Sequence, residues 1–165
     1  MTNCLFPIET TARELDHKIL IAIALSNPKS NIFIGDQQLI RTLSFFTKKG
    51  VFYGKHLFGK PMFSDDNYYK RLKKNGINVV HLNEEGAVWP GQEKRWKYLL
   101  QQAERPSVLD EKDVMLTWGE WQKSFNEQRE SHSVKIKATG HPRFDLYNQK
   151  FLDYYSGDIN KIKAK

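Results

Sequence analysis

Short runs of β-branched and aromatic residues alternate with segments of helical period along the whole chain, and this alternation sets the fold class. The clearest strand is Ile77–Leu82, with the sequence INVVHL. Asn3–Phe6, Asn31–Ile34, Val51–Tyr53, Val114–Trp118 and Val134–Ala138 read as five more. Between them lie segments with helix signals. Thr11-Ala12-Arg13-Glu14 fits a capping box, and Leu15, Ile19, Ala22 and Ile23 then recur at helical spacing until Asn27-Pro28 stops the helix. Asp36 can cap a helix whose stripe is Leu39, Ile40, Leu43 and Phe46. Ser64-Asp65-Asp66 opens the next, which buries Tyr68, Tyr69 or Leu72 and ends at Asn75-Gly76 as a left-handed C-cap requires. A helix from about Gln92 carries Trp96, Leu99, Leu100 and Ala103. Another presents Trp121 and Phe125 four residues apart, and the tail from Phe144 also reads as helical. Strands joined by crossover helices are parallel, and the crossovers are right-handed. The expected fold is α/β: a Rossmann-like parallel sheet of about six strands with helices on both faces.

A chain of 165 residues suits one domain, and 39% hydrophobic with 27% charged residues is a globular balance. The longest apolar run, Ile19–Leu25, is far short of the ~20 residues of a membrane-spanning helix. No signal peptide is visible, because Pro7, Glu9 and Arg13 interrupt the first apolar segment. The single cysteine, Cys4, excludes an internal disulfide and any CxxC metal knuckle, and reads as a small buried apolar side chain. A soluble, cytoplasmic protein is the expectation.

The net charge of +7 is concentrated in the first half: residues 1–82 hold 12 basic and 6 acidic side chains, and eight of the basic ones lie between Lys48 and Lys74. Such a segment attracts a polyanion, an anionic membrane face, or an acidic or phosphorylated sugar. Lys70, Arg71, Lys73 and Lys74 read as a solvated helix face. Lys55-His56-Leu57-Phe58-Gly59-Lys60-Pro61 reads as a loop carrying two lysines beside a histidine.

Ligands of open parallel sheets bind at the carboxyl ends of the strands, where helix N-termini converge. The residues leaving the strands are therefore the candidates. Glu84 and Glu85 follow Ile77–Leu82, and because adjacent residues leaving a strand point in opposite directions, one of them reaches the cleft. A carboxylate there suits a general base or a nucleophile, while the alternative is a turn with a capping or salt-bridging Glu. After the last strand, His141-Pro142-Arg143 suits a phosphate or carboxylate held by the imidazole and guanidinium. Its alternative is a proline-fixed turn with Arg143 paired to Asp145 or Asp113. His81 lies inside a strand and reads as a core histidine, His17 and His132 carry no signal, and the five histidines lack metal-ligand spacing. Trp89, beside Pro90-Gly91, is the best candidate for an exposed stacking surface. The chain has no G-x-x-x-x-G-K-S/T, no G-x-G-x-x-G and no G-x-S-x-G.

Five stretches, in order, carry a resemblance: Pro7-Ile8-Glu9 with Ala12-Arg13-Glu14-Leu15-Asp16, Ile34-Gly35-Asp36, Gly54-Lys55-His56-Leu57-Phe58-Gly59-Lys60-Pro61, Glu84-Glu85-Gly86-Ala87-Val88, and Thr139-Gly140-His141-Pro142-Arg143-Phe144-Asp145-Leu146. From about Leu5 onward the chain resembles the bacterial surface-carbohydrate biosynthesis proteins, which look like GT-B glycosyltransferases with two Rossmann-like domains facing a cleft. The Glu-Glu-Gly step is similar to the Glu-Asp-Gly step of capsule-linker Kdo transferases. The last stretch is similar to a Gly-x-Pro segment of GT-B enzymes, teichoic-acid polymerases and UDP-sugar epimerases.

The resemblance implies an N-terminal, acceptor-side domain over residues 1–155, with 156–165 beginning the connection to a second domain. It implies a role in capsule or lipopolysaccharide synthesis, and a piece that is inactive alone. In this reading Glu84 or Glu85 is the catalytic carboxylate. Asp36, Lys55, His56 and Lys60 hold an acidic or phosphorylated acceptor, and His141 and Arg143 meet the donor phosphate. No cofactor or metal is implied beyond a nucleotide-sugar donor. The partners are a glycan or lipid-linked acceptor and the second domain, with peripheral contact at the inner membrane. The rival readings are a nucleotide-sugar epimerase, a glycerol-phosphate polymerase, and a non-catalytic polyanion-binding module.

Overall fold

The computed structural model describes residues 1–55, 66–84, 91–129 and 131–164. Six strands form one sheet: β1 (Thr2–Ile8), β2 (Ser30–Asp36), β3 (Gly50–Gly54), β4 (Ile77–Leu82), β5 (Val114–Thr117) and β6 (Lys135–Ala138). The helices are α1 (Thr11–Leu25), α2 (Gln37–Phe46), α3 (Asp66–Lys74), α4 (Glu93–Ala103), α5 (Glu120–Arg129), α6 (Pro142–Asp145) and α7 (Ser156–Lys163), with 3-10 turns at Pro106–Val108 and Gln149–Tyr155. Every strand pair is parallel, in the order β2-β1-β3-β4-β5-β6. This is the expected α/β sheet, a Rossmann-like doubly wound arrangement. The chain turns outward from β1 to β2, then crosses back to β3, so the switch in direction falls between β1 and β3.

Side-chain alternation along the strands divides the core in two. Leu5, Phe52, Ile77, Val79, Met115 and Ile136 join Ile40 of α2 and Tyr68, Tyr69 and Leu72 of α3 on one face. Cys4, Phe6, Tyr53 and Leu82 pack with Ile21 of α1 on the other. Tyr68, Tyr69 and Leu72 are all buried, as is His81 within β4. Gly76 ends α3 at φ +73°, the left-handed cap read from Asn75-Gly76, and Asp36 caps α2 by accepting from the backbone N–H of Gln38 at 2.8 Å and Leu39 at 3.3 Å.

Three helical expectations need correction. The N-cap of α1 is Thr10, not Thr11, and Glu14 reaches back to the backbone N–H of Glu9 at 3.1 Å. The buried face of α1 holds Glu14, His17, Lys18 and Ala22, whereas Ile23 is 65% exposed. On α2, Ile40 is buried but Leu39 and Phe46 face solvent. Ser44 and Thr47 turn inward instead, their hydroxyls bonded to Arg41 O, Tyr68 Oη and Leu43 O. Ser64, Asp65 and Trp89 lie outside the described residues.

Candidate functional site

The carboxyl ends of β1, β3, β4 and β6 meet the first two turns of α1, and the residues gathered there are charged. Residues at i, i+3 and i+4 share one face of a helix. Glu14, His17 and Lys18 therefore point together onto the sheet, continued by Ile21 in the apolar core. On β4 the alternation that sends Val80 and Leu82 to the α1 face carries Glu84 to the same side. After β6, Gly140 at φ +76° turns the chain so that His141 becomes the N-cap of α6.

Glu84 is the hub of this rim. Its Oε1 lies 2.8 Å from Lys18 Nζ, and its Oε2 lies 3.2 Å from His141 Nε2 and 3.6 Å from His17 Nε2. All four side chains are buried. The Lys18 ammonium has three donors and meets three acceptors: Glu84, Glu14 at 2.9 Å and the Pro7 carbonyl at 2.8 Å. Glu14 also meets Lys55 and Arg13, each at 3.3 Å. Lys55 reaches Glu9 at 2.6 Å, an ion pair that joins the exits of β1 and β3 at the switch in strand order. Three carboxylates, Glu9, Glu14 and Glu84, thus meet three cations, Arg13, Lys18 and Lys55.

These contacts set the protonation states. Burial pushes the Glu84 carboxyl up, but the two imidazoles and the Lys18 ammonium outweigh it and hold the group far below the usual carboxylate range. Glu14 is displaced in the same direction, its burial outweighed mainly by Lys18. Burial first, and the Glu84 charge second, push the Tyr53 phenol up. His141 Nδ1 accepts from the backbone N–H of Arg143 at 3.1 Å, so its proton sits on Nε2, facing Glu84. His17 differs: its Nδ1 has no hydrogen-bond partner among the described residues.

Of the residues singled out from sequence, Glu84 and His141 are in direct contact, and Lys55 belongs to the same network. Arg143 is half-buried beside them, its guanidinium 5.2 Å from the Phe144 ring centroid. Asp36 is at the exit of edge strand β2, where it caps α2. His56, Lys60 and Glu85 lie outside the described residues. Asp113, a partner considered for Arg143, instead binds Tyr69 Oη, Lys73 Nζ and the Val79 N–H at the start of β5. Sequence reading missed Glu14, His17 and Lys18 as site residues. Their common face at 14, 17 and 18 was the available signal. Among the described residues, no three His, Cys, Asp or Glu side chains are placed to hold a metal ion.

A second buried carboxyl underlies the rim. Glu104 accepts from Gln122 Nε2 and Asn126 Nδ2, both at 2.5 Å, and Gln122 Oε1 accepts the Trp118 backbone N–H at 2.8 Å. The Trp118 indole N–H in turn donates to the Asn83 carbonyl at 2.8 Å. Burial raises the Glu104 pKa from 4.5 to about 7 despite these donors. The folded state therefore holds a proton that the unfolded state has lost, and stability falls as pH rises from 4.5 to 7. Across this window the loss attributable to Glu104 is on the order of 3 kcal/mol. The E104Q variant is expected to flatten this dependence in denaturation curves taken at several pH values. An unchanged slope would remove Glu104 as its source.

Comparison with family models, with curated proteins and with solved structures finds no match to this chain. What the fold and the rim define is a parallel α/β domain with a buried carboxylate–imidazole–ammonium cluster at the carboxyl ends of its strands.

Proposed function

We propose that the chain is the acceptor-side, N-terminal domain of a glycosyltransferase in surface polysaccharide synthesis. One observation carries the reading: Glu84 and His141, from two of the five stretches on which the family resemblance rests, meet at 3.2 Å on the ligand edge of the sheet. The stretches at Glu9, Asp36 and Lys55 also fall at strand exits. In transfer, the acceptor oxygen bonds to the anomeric carbon, the nucleoside diphosphate departs with the bonding pair, and the acceptor proton passes to a base. A carboxylate held as low as Glu84 is a weak base at neutral pH. Its role in this reading is to hold the imidazoles, and His17 Nδ1, buried and without a hydrogen-bond partner among the described residues, is the lone pair to which the proton can go. The nucleotide-sugar donor and the glycan or lipid-linked acceptor are the partners the reading requires. A cytoplasmic location, with or without peripheral membrane contact, goes with it. No described helix is long and apolar enough to cross a membrane.

The test is sugar transfer by full-length protein with its E84Q and H17N variants. A loss of about 10²-fold or more in each is expected, the usual weight of a positioned acid–base group. Wild-type turnover in both would remove the rim from the chemistry. Product analysis separates transfer from epimerisation and from glycerol-phosphate polymerisation.

A further inference from the structure

The rim cations Arg13, Lys18 and Lys55 are all engaged by carboxylates. Arg143 is not: among the described residues its guanidinium has a ring beneath it and no carboxylate. That ring, Phe144, is 51% exposed and belongs to an aromatic ridge. Trp118 lies edge-on to His141 at 4.7 Å and to Phe144 at 5.6 Å between centroids, and Tyr147, 72% exposed, continues from Phe144 at 6.5 Å. The ridge adjoins the buried Glu84–His141 pair, because His141 itself contacts both Trp118 and Phe144.

We propose that Arg143, Phe144 and Tyr147 form an open platform for an acidic sugar, its ring laid on the aromatic faces and its carboxylate or phosphate held by the Arg143 guanidinium. This deepens the acceptor-side reading and rests on it. Exposed aromatic faces offer a sugar ring large contact area at little entropic cost. A guanidinium already oriented over a ring supplies paired donors to an oxyanion. The neutralised cluster behind it neither repels the anion nor competes for it.

The experiment follows the Trp118 indole N–H resonance of the full chain during titration with D-glucuronate, D-glucose 1-phosphate, D-glucose and inorganic phosphate. Saturable shifts are expected with one or both acidic sugars and not with glucose, and the two acidic probes distinguish carboxylate from phosphate. The R143A variant should weaken binding at least about tenfold, the weight of one charge-assisted hydrogen bond. Y147A changes an exposed side chain, leaves the fold in place and should weaken it several-fold. Equal binding of inorganic phosphate with no effect of Y147A would overturn the platform, as would the absence of any shift. Acidic-sugar binding together with no transfer activity in the full-length protein would overturn the transferase reading alone. Transfer that persists at full rate in R143A and Y147A would overturn the platform alone.

Discussion

Replacing Glu84 with alanine should destabilise the fold by about 3–5 kcal/mol, because it takes a buried carboxylate away from the ammonium and the two imidazoles that face it. The ammonium of Lys18 would keep Glu14 and the Pro7 carbonyl but lose its 2.8 Å contact, and both imidazoles would lose the carboxylate they face. Urea denaturation measures the loss. The double variant E84A/K18M should be no more stable than E84A, since Lys18 still pairs with Glu14 at 2.9 Å and its loss strips that buried carboxylate of a cation. A cost below about 1 kcal/mol for E84A would show that the cluster behaves like a surface salt bridge. Acid titration supplies a second check with a fixed sign. The folded pKa of Glu84 lies below the ordinary 4.5, so its contribution is complete above that value and fades as pH falls. Glu104 works in the opposite sense, and the two contributions are separable by variant.

The second large effect is steric. Gly50 opens β3 opposite Asn3 of β1, and a Cβ placed there would lie 2.2 Å from the Asn3 carbonyl oxygen. The obstacle is backbone, so no rotamer change relieves it. The G50A variant must push β1 from β3, at a cost of about 1–3 kcal/mol or more. Gly119 provides the control, since a Cβ there meets nothing within 4 Å and G119A should stay within about 0.5 kcal/mol of wild type. Equal thermal stability of the two variants would refute the close approach.

The sheet was legible because its signals are local. Val79 and Val80, flanked by the Gly76 cap, announce β4 within one turn of chain. Asp36 announces the start of α2 in the same way. The spacing of Glu14, His17 and Lys18 puts them on one face of α1, but that this face is the buried one was not legible, because what compensates Lys18 is Glu84, far along the sequence. The apolar spacing therefore favoured Leu15, Ile19 and Ile23, and the rim was read from Glu84, His141 and Lys55. On α2 the same limit appears at Ser44 and Thr47. Their hydroxyls are satisfied by Tyr68 and by helix carbonyls, contacts that hydropathy does not register.

β1 is an interior strand, bonded to β2 on one side and to β3 on the other. Its register to β3 begins at Asn3 with Gly50, so β1 waits for a partner dozens of positions downstream. Such distant pairing slows closure of the sheet and prolongs the time in which an incomplete edge is open to other chains. Residues added or removed next to β1 would therefore act on the seam of the nascent fold, whereas additions after α7 would join a chain whose sheet is already shut.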